Sequence, residues 1–229
     1  MPSLIALILC LAFISFLIKL DRRQFPGATW VLWLATAWMI TVITKAIGNW
    51  FGMSGSSLEE GSPLDRNFLL LLMGIGIWLL AKRKFVLARF FREQRWLVIL
   101  FVFMFVSIAW SSVPFVSLKR WVREVIAIVM GYVVLTEEDP REAIASVIRR
   151  AVYILVPFSL LLVKYFPQYG IDYVAWSGAR MWIGVTDEKN EFGQLMSFSI
   201  LFLVWDMLRS GADSKRPRVR YKKTADIIV

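Results

Sequence analysis

Histidine is absent from the 229 residues, and cysteine occurs once, as Cys10. The first absence removes zinc sites with His ligands, a Ser-His-Asp triad and imidazole acid–base catalysis from this stretch of chain. The second removes any intramolecular disulfide and leaves the redox compartment open. Charge is sparse too: 19% of residues are Asp, Glu, Lys or Arg, too few to clothe a soluble domain of this size. No Asp-x-Asp pair of a metal-dependent sugar transferase, no Walker-type loop, no dinucleotide fingerprint and no internal repeat occurs. Any chemistry must rest on Arg, Lys, Asp, Glu, hydroxyls and backbone.

What is present is apolar. Hydrophobic residues make up 58% of the chain, with 11 Trp, 17 Phe and 9 Met. Seven apolar segments are bounded by charge clusters: Leu4–Ile18, Ala28–Thr44, Phe68–Ala81, Trp96–Trp110, Trp121–Leu135, Ala151–Val163 and Phe192–Leu208. Crossing the hydrocarbon takes roughly 20 residues, so several cores are short and rely on flanking Trp, Tyr, Lys and Arg. Trp121–Leu135 is the weakest span, because Arg123 and Glu124 fall in its first turn. The expected fold is an all-α, polytopic bundle of about seven transmembrane helices over residues 1–208.

Charge placement orients the bundle. With the N-terminus outside, the inner segments 19–27, 82–95, 136–150 and the tail from Arg209 hold 19 of the 27 Lys and Arg, against 8 in the outer loops. The bias follows the positive-inside rule and gives an N-out/C-in topology, with outer loops 45–67, 111–124 and 164–191. The net charge of +10 therefore points to a membrane surface and not to nucleic acid. No basic residue precedes Leu4, and Leu-Ile-Leu before Cys10 lacks the small residues of a lipoprotein site, so the first segment reads as an uncleaved span. The tail, residues 209–229, ends on Ala225, Ile227, Ile228 and Val229, which reads as the opening of an eighth span and a chain that continues.

Two outer segments combine residue types able to carry chemistry. Lys119 and Arg123 are four apart, and Arg120 and Arg123 three apart, so a helix sets all three on one side. Three cations on one face call for an anion. A diphosphate fits, since guanidinium matches phosphate oxygens bidentately, and phospholipid headgroups remain an alternative. The second segment, Ala175–Gln194, carries Arg180, Lys189 and Asn190 among Gly178, Gly184, Trp176 and Trp182. The two Trp rings suit sugar stacking or an interfacial belt. Lys189 and Asn190 could meet phosphate near a helix start, or the acidic neighbours could simply complete that helix end. Gly74-Ile75-Gly76 reads as close helix packing.

Three stretches carry a family likeness: GSPLDRN at Gly61–Asn67, AWSSVPFVSLKRWVRE at Ala109–Glu124, and YFPQYG followed by WSGARMWIGVTDEKNEFGQ between Tyr165 and Gln194. In these the chain resembles the O-antigen ligase and polymerase family of bacterial membrane proteins, exopolysaccharide polymerases included. The resemblance implies an inner-membrane glycosyltransferase with a GT-C-like fold. It also implies transfer of a glycan from an undecaprenyl-diphosphate carrier to a periplasmic-side acceptor, either lipid A-core or a growing polysaccharide, without metal or cofactor. Outer-face arginines hold the carrier diphosphate in such proteins, a role that Lys119, Arg120, Arg123 and Arg180 match. Family members also carry a large periplasmic loop with a functional His. This chain has neither, so the resemblance implies the N-terminal half of such an enzyme, supplying part of the carrier groove. A small transporter or sensor is the other reading. Intramembrane charges would favour it, yet Lys45, Glu124, Lys164 and Asp206 all sit at segment boundaries.

Overall fold

The computed structural model describes residues 2–24, 29–50, 63–83 and 91–212. Its elements, in chain order, are α1 (Ser3–Gln24), α2 (Leu32–Ile43), α3 (Ile47–Trp50), α4 (Pro63–Lys82), α5 (Arg95–Ser107), a 3-10 turn (Ile108–Trp110), α6 (Pro114–Leu135), α7 (Pro140–Tyr165), α8 (Pro167–Gly170), β1 (Ile171–Tyr173), β2 (Arg180–Trp182) and α9 (Lys189–Ala212). Glu59, Glu60, Gly61, Ser62, most of the 82–95 segment and the tail from residue 213 lie outside the described residues.

Each of the seven apolar segments is helical over most of its described residues. Proline opens α4, α6, α7 and α8, where its fixed φ suits the first turn and its missing N–H leaves no bond unmade. Four helices are long and apolar enough to cross a membrane: Ser3–Arg23, Pro63–Lys82, Pro140–Tyr165 and Lys189–Arg209. This is a helical membrane protein. Leu32–Ile43 and Arg95–Trp110 are apolar but shorter. Helix α6 has the length, but Lys119, Arg120, Arg123 and Glu124 occupy its first half. Large apolar side chains such as Leu4, Phe16, Leu201 and Leu208 stand exposed, as a lipid-facing surface requires.

The segments expected to be loops are more structured than that. Loop 111–124 becomes helical from Pro114, and the inner segment 136–150 becomes helical from Pro140. Loop 164–191 contains a two-stranded antiparallel hairpin, the one departure from an all-α fold among the described residues. The chain also divides into two compact units, Met1–Lys45 with Arg141–Val229, and Ala46–Pro140.

In the first unit α7 is the central helix. Its small residues Ala143, Ala145, Ser146 and Ala151 are buried and allow close approach. Leu17 and Leu20 of α1, Val152, Tyr153 and Val156 of α7, and Phe202 and Leu203 of α9 form one core cluster. Arg149 of α7 bonds Asp21 near the end of α1 and Asp206 near the end of α9, so α1 and α9 run parallel and α7 opposes them. At the other end, the Lys45 amide after α2 donates to the Val185 carbonyl just before α9 (2.9 Å). Thus α2 ends where α7 ends and α9 begins.

In the second unit Arg83, following α4, donates to the Val133 carbonyl (3.2 Å) and Thr136 Oγ1 (2.9 Å) at the end of α6. It also pairs with Glu137. Helices α4 and α6 are therefore parallel, and α5 opposes α6 across the short 108–113 link. Gly76 is where α4 meets α6: a Cβ there would lie 2.8 Å from Val129 Cγ1, whereas one at Gly74 would meet nothing within 4 Å. The packing reading of this glycine pair thus holds for Gly76 alone. An apolar cleft of about 620 Å³ opens among Ile77, Phe101, Phe105, Trp121, Val125 and Tyr132.

Candidate functional site

The cationic segment begins in a turn held by side chains. Ser111 Oγ and Ser117 Oγ lie 2.7 Å apart, and the Val113 amide donates to Ser111 Oγ (3.2 Å). Pro114 then starts α6. Trp121 anchors that start: its indole N–H donates to the Phe101 carbonyl (3.0 Å) and its ring packs 5.0 Å from Phe105. With α6 so fixed, Lys119, Arg120 and Arg123 fall within an arc of roughly 100° at about 100° per residue. Lys119 is half-buried and lies 4.6 Å over the Phe115 ring, whereas Arg120 and Arg123 are exposed. Neither arginine makes an ion pair among the described residues. Asp65, in the first of the three resembling stretches, is occupied by backbone instead, its carboxylate accepting from the Ile47 and Gly48 amides (2.6 and 3.3 Å).

The second segment lies in the other unit. Register places Ile171 opposite Trp182, Asp172 opposite Met181 and Tyr173 opposite Arg180. The connection closes through Val174 N–H to Ala179 O (2.9 Å) and Gly178 N–H to Val174 O (2.8 Å), with Gly178 at φ +64°. Beyond β2 the Ile183 and Gly184 amides both donate to Gly170 O at 3.0 Å. Gly184 takes φ +55°, and a Cβ would sit 2.7 Å from the Phe192 ring and 2.9 Å from Ser159 Cβ. Val185 and Thr186 are buried, and Thr186 Oγ1 lies 2.8 Å from Ile183 O and 2.9 Å from Glu188 O. The motif Gly184–Asn190 thus splits in two: Gly184, Val185 and Thr186 hold the fold, and Asp187, Glu188, Lys189 and Asn190 are exposed. Glu191 reaches back to the Asp187 amide (3.3 Å), a capping contact for α9. Lys189 is the first residue of α9, where the helix dipole disfavours a cation and favours an anion beside it.

Of the expected site residues, Lys119, Arg120 and Arg123 come together on α6. Arg180, Lys189, Asn190, Trp176 and Trp182 come together around the hairpin and the start of α9, and all five are exposed. Lys45 belongs with this second set, although its place at a segment boundary did not suggest it. Its Nζ donates to the Tyr169 carbonyl (2.7 Å), tying the end of α2 to the hairpin. Partial burial pushes its ammonium below the ordinary lysine value, against the opposing pull of Asp187 and then Asp172.

At the opposite end of the first unit lies a cluster that the boundary reading of Asp206 missed. Asp21, Arg149, Arg150 and Asp206 are at most 1% exposed, and Glu142 is 9% exposed. Arg149 Nε and Nη2 clasp Asp206 (2.8 and 3.2 Å), while Nη1 meets Asp21 (2.8 Å) and Nη2 meets Glu142 (3.1 Å). Arg150 Nε donates to the second Asp21 oxygen (3.0 Å), and its guanidinium lies 5.1 Å over the Trp33 ring. Arg209 closes the knot on Glu142 and Asp206. Among the described residues three carboxylates meet three guanidiniums, so these six charges balance.

No family model, curated protein or solved structure matches the chain.

Proposed function

We propose that the protein acts in glycan transfer at a bacterial inner membrane, in the manner of an O-antigen ligase or polysaccharide polymerase. In this reading the bundle has seven spans, N-out/C-in, in a GT-C-like arrangement. A glycan passes from an undecaprenyl-diphosphate carrier to lipid A-core or a growing polysaccharide on the periplasmic side. Two separate sets supply cations for diphosphate: Lys119, Arg120 and Arg123 on α6, and Arg180 and Lys189 with Asn190 in the other unit. Departure of the glycan builds negative charge on the diphosphate, and fixed cations in a water-poor site stabilise it.

One observation carries the reading. Arg120, Arg123 and Arg180 are exposed with no ion pair among the described residues, and the first two share one side of α6 with Lys119. Unpaired guanidiniums beside an apolar surface are suited to an external phosphate. The alternating helix directions within each unit agree with continuous spans. The test is undecaprenyl-diphosphate binding to the protein in nanodiscs. Arg123→Lys and Arg180→Lys keep charge but lose bidentate geometry, and each should weaken binding by about tenfold, roughly one charge-assisted hydrogen bond. Unchanged binding in both, with normal insertion, refutes the assignment.

A transporter would draw on intramembrane charges such as the buried knot. Arg149, however, makes four hydrogen bonds to carboxylates, so it faces helices and not a passing ligand.

A further inference from the structure

We propose that the β1–β2 hairpin is a foot resting in the phospholipid headgroup layer, with its aromatic face as the contact surface. Opposed residues of an antiparallel pair share a face, as do residues two apart on one strand, so Tyr173, Arg180 and Trp182 lie together. At the base of that face Ile171 is 7% exposed and its partner Trp182 62% exposed; towards the tip Tyr173 is 59% exposed, and Trp176 in the connection reaches 91%. Three large rings, each able to bury about 150–250 Å², are thus left uncovered on one small element.

Chain length says what covers them. β1 begins 6 residues after the end of α7, and β2 ends 7 residues before α9 begins. Both helices are long and apolar enough to cross a membrane. Part of each short link is used up locally, by the Pro167–Gly170 turn and by the Ile183 and Gly184 bonds to Gly170 O. The hairpin is therefore held at the end of two spans, beside a headgroup layer roughly 5–8 Å thick on each side of the hydrocarbon. Trp and Tyr favour that layer because an apolar ring and a polar tip are both satisfied there. Arg180, beside the rings, would meet phosphate at the same depth, whether of phospholipid or of the carrier, and the contact of the foot rests on the rings alone. The same surface could instead stack on sugar rings. Lipid is favoured because the two spans place it alongside with no further ligand. Nothing is required beyond α7 and α9 spanning a bilayer, so the foot stands apart from the transferase reading.

The test uses the full chain with Cys10→Ser and Ser177→Cys, spin-labelled at residue 177 in vesicles of phosphatidylethanolamine and phosphatidylglycerol. Collision with oxygen should be high, and collision with a water-soluble nickel chelate largely lost. Replacing Tyr173, Trp176 and Trp182 by Ser should restore nickel access, and Trp176→Ser alone should restore part of it if the triple variant does not insert. A label open to nickel from the start overturns the proposal, including one shielded only when a lipid-linked glycan is added. So does a shielded label unmoved by the aromatic substitutions. Undecaprenyl-diphosphate binding, measured on the same preparation, reports separately on the transferase reading.

Discussion

Arg149→Met is the sharpest single test of how the first unit is held together. The parent knot balances three carboxylates with three guanidiniums, all near the ends of α1, α7 and α9. Removing Arg149 leaves Asp206 and Glu142 sharing Arg209, and Asp21 with Arg150 alone. One buried negative charge is then uncompensated. Breaking a buried pair in this way costs about 3–5 kcal/mol, a shift of roughly a hundredfold to a few thousandfold in the folding equilibrium. The double variant Arg149→Met with Asp206→Leu restores two against two, with Asp21–Arg150 and Glu142–Arg209 intact. It should lose less than the single variant, because an ion pair replaced by apolar side chains is often near neutral. Unfolding in mixed micelles, followed by Trp fluorescence against rising SDS fraction, measures all three proteins. An Arg149→Met protein within about 0.5 kcal/mol of the parent, or a double variant worse than the single, would refute the account of a charge-balanced lock.

Other substitutions probe particular contacts. Gly76→Ala should cost about 1–3 kcal/mol by overpacking α4 on Val129, whereas Gly74→Ala, opening on free space, should be neutral or gain up to about 1 kcal/mol of helix propensity; thermal unfolding of the pair compares them directly. Gly184→Ala combines a left-handed backbone with a close approach to Phe192 and Ser159, and a loss of about 1–3 kcal/mol should appear as a lowered unfolding midpoint. Lys45 gives a pH signature. Its folded-state value lies below the unfolded one, so between the two the unfolded chain binds more protons and stability rises with pH. The penalty is complete below the lowered value and gone above the ordinary lysine value; unfolding midpoints across that alkaline window should slope upward in the parent and flatten in Lys45→Met.

How much of this was legible in the sequence depends on where each signal resides. Apolar stretches are local signals and each falls on a helix, but α4, α6 and α7 begin at Pro63, Pro114 and Pro140, in stretches expected to be loops ahead of the apolar segments that start at Phe68, Trp121 and Ala151. The knot is not local. Hydropathy penalises Glu142, Arg149 and Arg150 one by one and assigns them to a loop, although Arg149 is neutralised by Asp21, 128 positions away. Three-residue strands are too short for a period-2 pattern, so Gly178 and Gly184 pointed to tight turns but the hairpin itself was missed. Arg120, Arg123 and Arg180 are exposed, as charges beside short apolar cores commonly are. Lys45 could not be read, because its partner Tyr169 lies 124 positions further along the chain.

The knot has a geometric consequence for the other end of the same unit. From Asp21 back to Ser3, from Arg149 on to Tyr165, and from Asp206 back to Lys189 the chain counts 18, 16 and 17 residues. At about 1.5 Å per residue these lengths are roughly 24–27 Å, close to the thickness of the hydrocarbon layer. Three helices pinned at one depth therefore reach the opposite boundary at nearly one depth. A one-residue slip of α9 along α7 would move it by about 1.5 Å and break the paired contacts of Arg149 with Asp206. Buried ion pairs contribute little net stability over apolar packing, and their best-attested use is to select a register. Here the register that Arg149 selects aligns the end of α7 with the start of α9. That alignment is what lets Gly170 accept from Ile183 and Gly184, lets Lys45 reach Tyr169, and holds the hairpin between the end of α7 and the start of α9. An uncharged knot of similar volume should hold the helices together while setting the register of α7 and α9, and with it the place of the hairpin, less strictly.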